Sequence, residues 1–311
     1  MPESALTASH EEEREEQFLV ANGLKLAYEE FGDPAHPVML LVMGLGTQMI
    51  AWPDLFCEGL VEKGYRVIRF DNRDIGLSEK ITVDKPVSIP RVAFRARLGL
   101  AVDAPYTLHD MAHDTVGVLD ALNIETAHIV GASMGGMIAQ LVTALFPDRI
   151  LSLTSIMSTT GNPKLPGARW RATKQLLTRP QSSNEEDIVK HGLKAWEIIG
   201  SPDFMPPKEE LRARILRSIR RSVYPAGYRN QLVAIIHNGD RRELLADVKT
   251  PTLVIHGKAD ALIPVEGGID TANSIPGAEL KLFEGMGHDL PKELVPRFVR
   301  AIDAHAQKTL A

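Results

Sequence analysis

The sequence predicts an α/β protein: a mostly parallel, doubly wound sheet with a helical segment inserted after a central strand. Three observations carry this. Short continuous apolar runs, such as Val38 to Met43 and Tyr65 to Phe70, read as strands buried on both faces. These runs alternate with stretches of helical periodicity, the pattern of a parallel sheet covered by helices. From Ser158 to about Asp240 the strand signal disappears, and apolar residues such as Leu176, Ile188, Leu193, Trp196, Leu211 and Ile215 recur at helical spacing.

Composition narrows the class. The 311 residues are 44% hydrophobic and 24% charged, with a formal net charge of −5. That describes a folded protein with ample core and no basic excess to bind nucleic acid. A single cysteine, Cys57, excludes an intrachain disulfide and fits a reducing compartment, so a cytoplasmic location is expected. It sits in an apolar helical pattern and reads as a small buried hydrophobe. Residues 1–17 are acidic, have no apolar signal-peptide core and read as a flexible segment. No apolar stretch is long enough to span a membrane.

In chain order, Phe18–Ala21 and Leu24–Glu30 flank Asn22-Gly23, a strong hairpin signal. The buried run Val38–Met43 ends in Gly44-Leu45-Gly46. Trp52-Pro53 opens a helix to about Lys63, stopped by Gly64, and the strand Tyr65–Phe70 ends in Asp71-Asn72-Arg73-Asp74. Residues 79–106 are irregular, with a short helix around Val92–Leu100, and have the character of a flap. Thr107 opens a helix through Ala121, Ala127–Ala132 is a strand, and Ile150–Met157 is another. After the helical segment, strands resume at Thr252–Ile255 and Glu279–Phe283. The expected division is a core of 18–157 and 241–311 and a helical cap of 158–240.

The chemistry centres on Gly131-Ala132-Ser133-Met134-Gly135. A strand leads in, and a helix over Met137–Phe146 leads out, ended by Pro147. A serine at the tip of such a turn presents its hydroxyl outward, and its crowded neighbours must be glycine. Gly44-x-Gly46 after the Val38–Met43 strand also suggests half of a dinucleotide fingerprint. Its third glycine position is Met49, so no nicotinamide or flavin cofactor is expected. Two later strands run into loops holding one titratable residue each: Asp260 in Lys258-Ala259-Asp260-Ala261, and His288 in Gly285-Met286-Gly287-His288. His256 reads as structural on its strand end, and His128 as a packed strand histidine. Asp289 is too close along the chain to serve His288 as its acid. His109 and His113 lack the cysteine or carboxylate companions of a zinc site, so no metal is expected. Asp71, Arg73 and Asp74 read as a turn network behind the site.

With the order Ser133, Asp260, His288, the chain resembles the α/β-hydrolase fold over about residues 18–305. Val42-Met43-Gly44, Trp52-Pro53, the Val67–Asp74 segment and Gly285-Met286-Gly287-His288 resemble the bacterial serine-esterase branch that includes aclacinomycin methylesterase. The resemblance implies a Ser133–His288–Asp260 triad that works through an acyl-enzyme. It also implies an oxyanion hole made of the backbone N–H groups of Leu45 and Met134. Many relatives have His-Gly where this chain has Met43-Gly44, but backbone donors do not depend on that side chain. Serine at this position argues against the dehalogenases and epoxide hydrolases of the fold, which use aspartate. Met134 departs from the tryptophan usual in proline iminopeptidases.

Met43, Met157 and Met286 lie at strand ends or in site loops, and methionine adapts to irregular ligands. They suggest an apolar acyl pocket for a small-molecule ester. The expected function is a carboxylic-ester hydrolase on small to medium apolar acyl esters. A carbon–carbon bond hydrolase or cofactor-free perhydrolase with the same triad is the alternative within the enzymes. A non-catalytic small-molecule receptor is the alternative outside them.

Overall fold

A computed structural model describes residues 16–83 and 87–309. Apart from Glu16 and Gln17, the N-terminal segment expected to be flexible lies outside the described residues. The hairpin forms as expected from β1 (Gln17–Ala21) and β2 (Leu24–Phe31), turning at Asn22 and Gly23, both with positive φ. β3 (Val38–Val42) and β4 (Arg66–Phe70) flank α1 (Asp54–Val61). α2 (Ile89–Arg97) is the short helix of the irregular stretch. Thr107 caps α3 (Leu108–Ala121) through a reciprocal capping box with Asp110. β5 (Ala127–Ala132), α4 (Met134–Leu145) and β6 (Ile150–Ile156) follow.

The stretch between β6 and the next strand holds α5 (Trp170–Leu177), α6 (Glu185–Ile199), α7 (Lys208–Arg221), α8 (Pro225–Asn238) and the one-turn α9 (Arg242–Leu245). β7 (Thr252–Gly257), α10 (Glu266–Ser274), β8 (Glu279–Phe283) and α11 (Val295–Ala306) complete the chain. Among the described residues no helix is long and apolar enough to cross a membrane.

The strands form one sheet in the order β1-β2-β4-β3-β5-β6-β7-β8. Only the pairings of β1 with β2 and of β2 with β4 are antiparallel. The continuous apolar character of β3 now has a cause. Leu40 and Val42 join one buried cluster, with residues of α3 and α4. Met39 and Leu41 join another, with residues of α1 and α11. Both faces are covered, so every position is apolar. Arg69 on β4 is buried and donates to the Glu29 carboxylate on β2 and the Trp52 carbonyl ahead of α1, so its charge is paired where it is desolvated.

Two details differ from expectation. The helix after Ser133 begins at Met134 rather than Met137. Glycine disfavours helix, but here Gly135 and Gly136 are pressed against β3 and Ser158, and packing overrides propensity. α8, which was expected in the cap, packs into the core: Ala234 belongs to the same buried cluster as α3 and α4.

His128 on β5 is buried, and its Nδ1 lies 2.8 Å from Ser152 Oγ. Burial, aided by nearby His305, pushes its pKa down to about 4. Between that value and the normal one near 6.5 the unfolded chain binds a proton that the folded chain does not, so stability falls as pH drops through this window. The expected contribution is a loss of about 3 kcal/mol of unfolding free energy between pH 7 and pH 4. Urea titrations across this range should show it in the native protein, and a shallower slope in His128→Gln.

Candidate active site

Ser133 sits between β5 and α4 with φ 57° and ψ −120°, a strained conformation for a residue with a side chain. The surroundings hold it there. A Cβ on Gly131 would lie 2.1 Å from the Gly135 carbonyl oxygen, and one on Gly135 would lie 2.0 Å from that of Val42. Glycine at both positions is therefore a steric requirement. Ser133 N–H donates to Ile156 O at 2.9 Å, and Ser158 Oγ donates to Ser133 O at 2.8 Å. The turn is thus tied to β6 on its far side.

Residues 155 and 127 positions downstream of Ser133 in the chain meet it in space. His288 Nε2 lies 2.9 Å from Ser133 Oγ, and His288 Nδ1 lies 2.7 Å from Asp260 Oδ2. The three expected side chains are therefore in one hydrogen-bonded line. Asp260 is buried, and its Oδ1 accepts the N–H groups of Leu262 at 2.8 Å and Ile263 at 2.9 Å. Burial opposes its charge, but His288, His256 and their hydrogen bonds outweigh that. Its carboxyl is held well below the usual carboxylate range and stays ionised at neutral pH.

His256 is packed away. It is fully buried in β7, and its Nε2–H donates to Ile263 O at 2.9 Å, with Asp260 Oδ2 farther off at 3.5 Å. A Cβ on Gly268 would lie 2.5 Å from its ring. His109 lies beside Asn238, and His113 meets Phe146 edge-on. Among the described residues no group of three or more His, Cys, Asp or Glu side chains is placed to hold a metal. The Asp71–Asp74 turn is a network, as expected. Asp71 accepts from Met49 N–H and Leu77 N–H and pairs with Arg221 at 2.6 Å. Arg73 pairs with Asp114, and Asp74 accepts from Tyr106 and Asn230.

Leu45 lies in the loop after β3 and is half-buried, while Met134 opens α4 and is fully buried. The loop lies against the serine: a Cβ on Gly44 would be 3.0 Å from Ser133 Cβ. Met134 N–H is in the first turn of α4, where amides have no acceptor within the helix. Met43, Met157 and Met286 are buried in the cluster that α1 and α11 cover, Met286 completely. A cavity of about 190 Å³ lies instead beyond Gly46, lined by Gln48, Asp74, Ser218, Tyr224 and Tyr228 among others.

Several contacts here have no sequence signal. The His288 loop is latched to the end of α6: His288 N–H donates to Ile199 O at 2.7 Å, and Gly287 N–H to Ser201 Oγ at 2.8 Å. Ser201 Oγ in turn donates to Asp289 Oδ1. Burial pushes the Asp289 carboxyl up, since its charge has little solvation there. From the other side, Gln231 on α8 holds the Gly46 amide at 2.8 Å.

Known proteins share this fold. The profile of the alpha/beta hydrolase fold family matches residues 37–293. Rhodomycin D methylesterase DauP from Streptomyces sp. (strain C5) is 29% identical over 306 residues, covering 90% of this chain and 94% of that protein. A 2-hydroxy-6-oxononadienedioate/2-hydroxy-6-oxononatrienedioate hydrolase from Burkholderia vietnamiensis is 26% identical, covering 90% of each. Among solved structures, the meta-cleavage product hydrolase of Pseudomonas fluorescens IP01 superposes with a TM-score of 0.73 at 19% identity, covering 94% of this chain and 97% of that one.

Removing the Ser201 hydroxyl should strand the Gly287 N–H and take one donor from the buried Asp289 carboxyl. Ser201→Ala is expected to lower the unfolding free energy by about 1–3 kcal/mol in urea titration. A change within about 0.5 kcal/mol would show that the latch adds nothing to stability.

Proposed function

The chain belongs to the α/β-hydrolase family, and on that premise we propose that it is a serine carboxylesterase acting on small to medium apolar acyl esters. The observation that carries the reading is the Ser133–His288–Asp260 line, with contacts of 2.9 and 2.7 Å, built on a strained strand-to-helix turn. Strain of this kind persists where the surroundings over-determine it, and it accumulates at functional sites. The 29% identical methylesterase from Streptomyces supports ester cleavage.

In this reading Ser133 Oγ attacks the ester carbonyl and gives its proton to His288 Nε2. Asp260 keeps the proton of the resting imidazole on Nδ1 and offsets the positive charge that the ring acquires. The Leu45 and Met134 amides hold the carbonyl oxygen as it gains negative charge, with the N-terminal end of α4 favouring that charge. His288 then protonates the departing alcohol. Water, deprotonated by the same imidazole, cleaves the acyl-enzyme and restores Ser133. The helices of 158–240 act as a cap over a core of 18–157 and 241–311, with α8 as the part of the cap that is built into the core. The acyl group is taken up beside Leu45 and Met134, next to the methionines behind them.

A carbon–carbon bond hydrolase is the second reading, favoured by the 26% identical relative from Burkholderia vietnamiensis. The same nucleophile and base would serve it, because the fold and triad do not specify the bond.

Purified protein is expected to release p-nitrophenol from short-chain acyl esters. Ser133→Ala and His288→Ala should each lower turnover by about 10³-fold or more. Rates at background for the native protein across acyl lengths, with cleavage of 2-hydroxy-6-oxononadienedioate instead, would replace the ester reading with the second one.

A further inference from the structure

The loop that carries Leu45 is steadied by a residue that belongs to no motif. Gln231 lies on α8 and is fully buried. Its Oε1 accepts the Gly46 N–H at 2.8 Å, and its Nε2 donates to the Arg73 carbonyl at 3.0 Å. The partners fix the amide's orientation: Gly46 N–H can only donate and the Arg73 carbonyl can only accept. One side chain therefore clamps the loop after β3 to the loop after β4.

The clamp sits one peptide away from an expected oxyanion donor. Gly44 O accepts the Thr47 N–H at 3.3 Å. A trans peptide holds its C=O and N–H on opposite sides, so the Leu45 N–H points away from that turn. The following peptide is held at both ends, its Leu45 carbonyl by Thr47 Oγ1 at 3.0 Å and its Gly46 N–H by Gln231. Gly46 has φ +66°, and the Tyr228 ring fills the space where a Cβ would stand, 2.4 Å away. With this second plane held, little rotation about Leu45 remains, and the Leu45 amide cannot swing. Without Gln231 the Gly46 amide would lose its acceptor within the chain, and both planes would be free to turn.

We propose that Gln231 is a positioning residue for the oxyanion hole, which aims the Leu45 amide by clamping Gly46 to Arg73. This rests on the serine-esterase reading. The role is separable from holding α8 in place. Asn230 Nδ2 donates to Asp74 Oδ2 at 3.0 Å, and Gly227 packs so closely on Asp74 that a Cβ would lie 2.3 Å from its carbonyl oxygen. α8 therefore keeps its own anchors when Gln231 changes.

The test uses Gln231→Leu and Gln231→Glu beside the native protein and Ser133→Ala. Measurements are kcat and KM on a p-nitrophenyl ester, thermal midpoint, and the rate at which a fluorophosphonate probe labels Ser133, whose phosphoryl oxygen needs the same donors. Gln231→Leu should lower kcat about 10- to 100-fold with KM within about twofold, and slow labelling in parallel. Gln231→Glu, buried and therefore favoured as the neutral acid, keeps an acceptor for Gly46 and a donor for the Arg73 carbonyl. It should therefore regain part of kcat, and this recovery is the readout that packing alone would not produce. The proposal is overturned if folded Gln231→Leu keeps kcat within about twofold, if the loss appears in KM, or if Gln231→Glu is no better than Gln231→Leu. Equal activity in Ser133→Ala, with no labelling of Ser133 in the native protein, would instead overturn the esterase reading itself.

Discussion

The close approach of α4 to β3 and β5 is the constraint on which the rest of the site depends. Gly135 touches the Val42 carbonyl and Gly131 touches the Gly135 carbonyl, with no space for a methyl group at either contact. This contact allows the chain to leave the sheet within one residue. That residue is Ser133, at positive φ. A looser junction would relax the serine into an ordinary turn, and its hydroxyl would leave the reach of His288. The same approach places the first turn of α4 beside the loop after β3, so Ser133 and the amides that open the helix are set by one packing event.

Around that junction, the long segment between β6 and β7 contributes more than its own helices. Its residues hold loops on both sides of the serine. Ser201 and the Ile199 carbonyl fasten the His288 loop, and Gln231 fastens Gly46. Arg221 at the end of α7 reaches the buried Asp71 and Gln48, and the Gln48 amide returns to the Ser218 and Ser222 carbonyls. These are buried or partly buried polar contacts with specific partners, so a displacement of the segment would disturb the geometry of the site.

The relatives place this constellation in context. Proteins named for methyl-ester cleavage and for hydrolysis of a dienedioate both align along 90% of the chain. A nucleophile, a base and an oxyanion hole serve any reaction in which a carbonyl carbon is attacked and its oxygen gains charge. The difference between an ester and a carbon–carbon bond lies in the leaving group and in what surrounds it. The fold alone therefore leaves the cleaved bond open, and the lining of the site decides it.

The sequence by itself determined the sheet, the turns and the three side chains of the line. Each rests on a local signal: apolar runs for β3 and β4, Asn22-Gly23 for the hairpin, glycines around Ser133, and single titratable residues after β7 and β8. Burial on two faces and positive φ leave marks within a few residues of where they act. The sequence could not place α8 in the core or start α4 at Met134, because both follow from which surfaces meet. Only the tertiary structure decided that Gln231 reaches Gly46 across 185 residues and that Ser201 joins Gly287 across 86. A buried glutamine or serine has the same local pattern whether its partner is a catalytic loop or nothing of note. Its meaning is set by the donor or acceptor that folding brings to it.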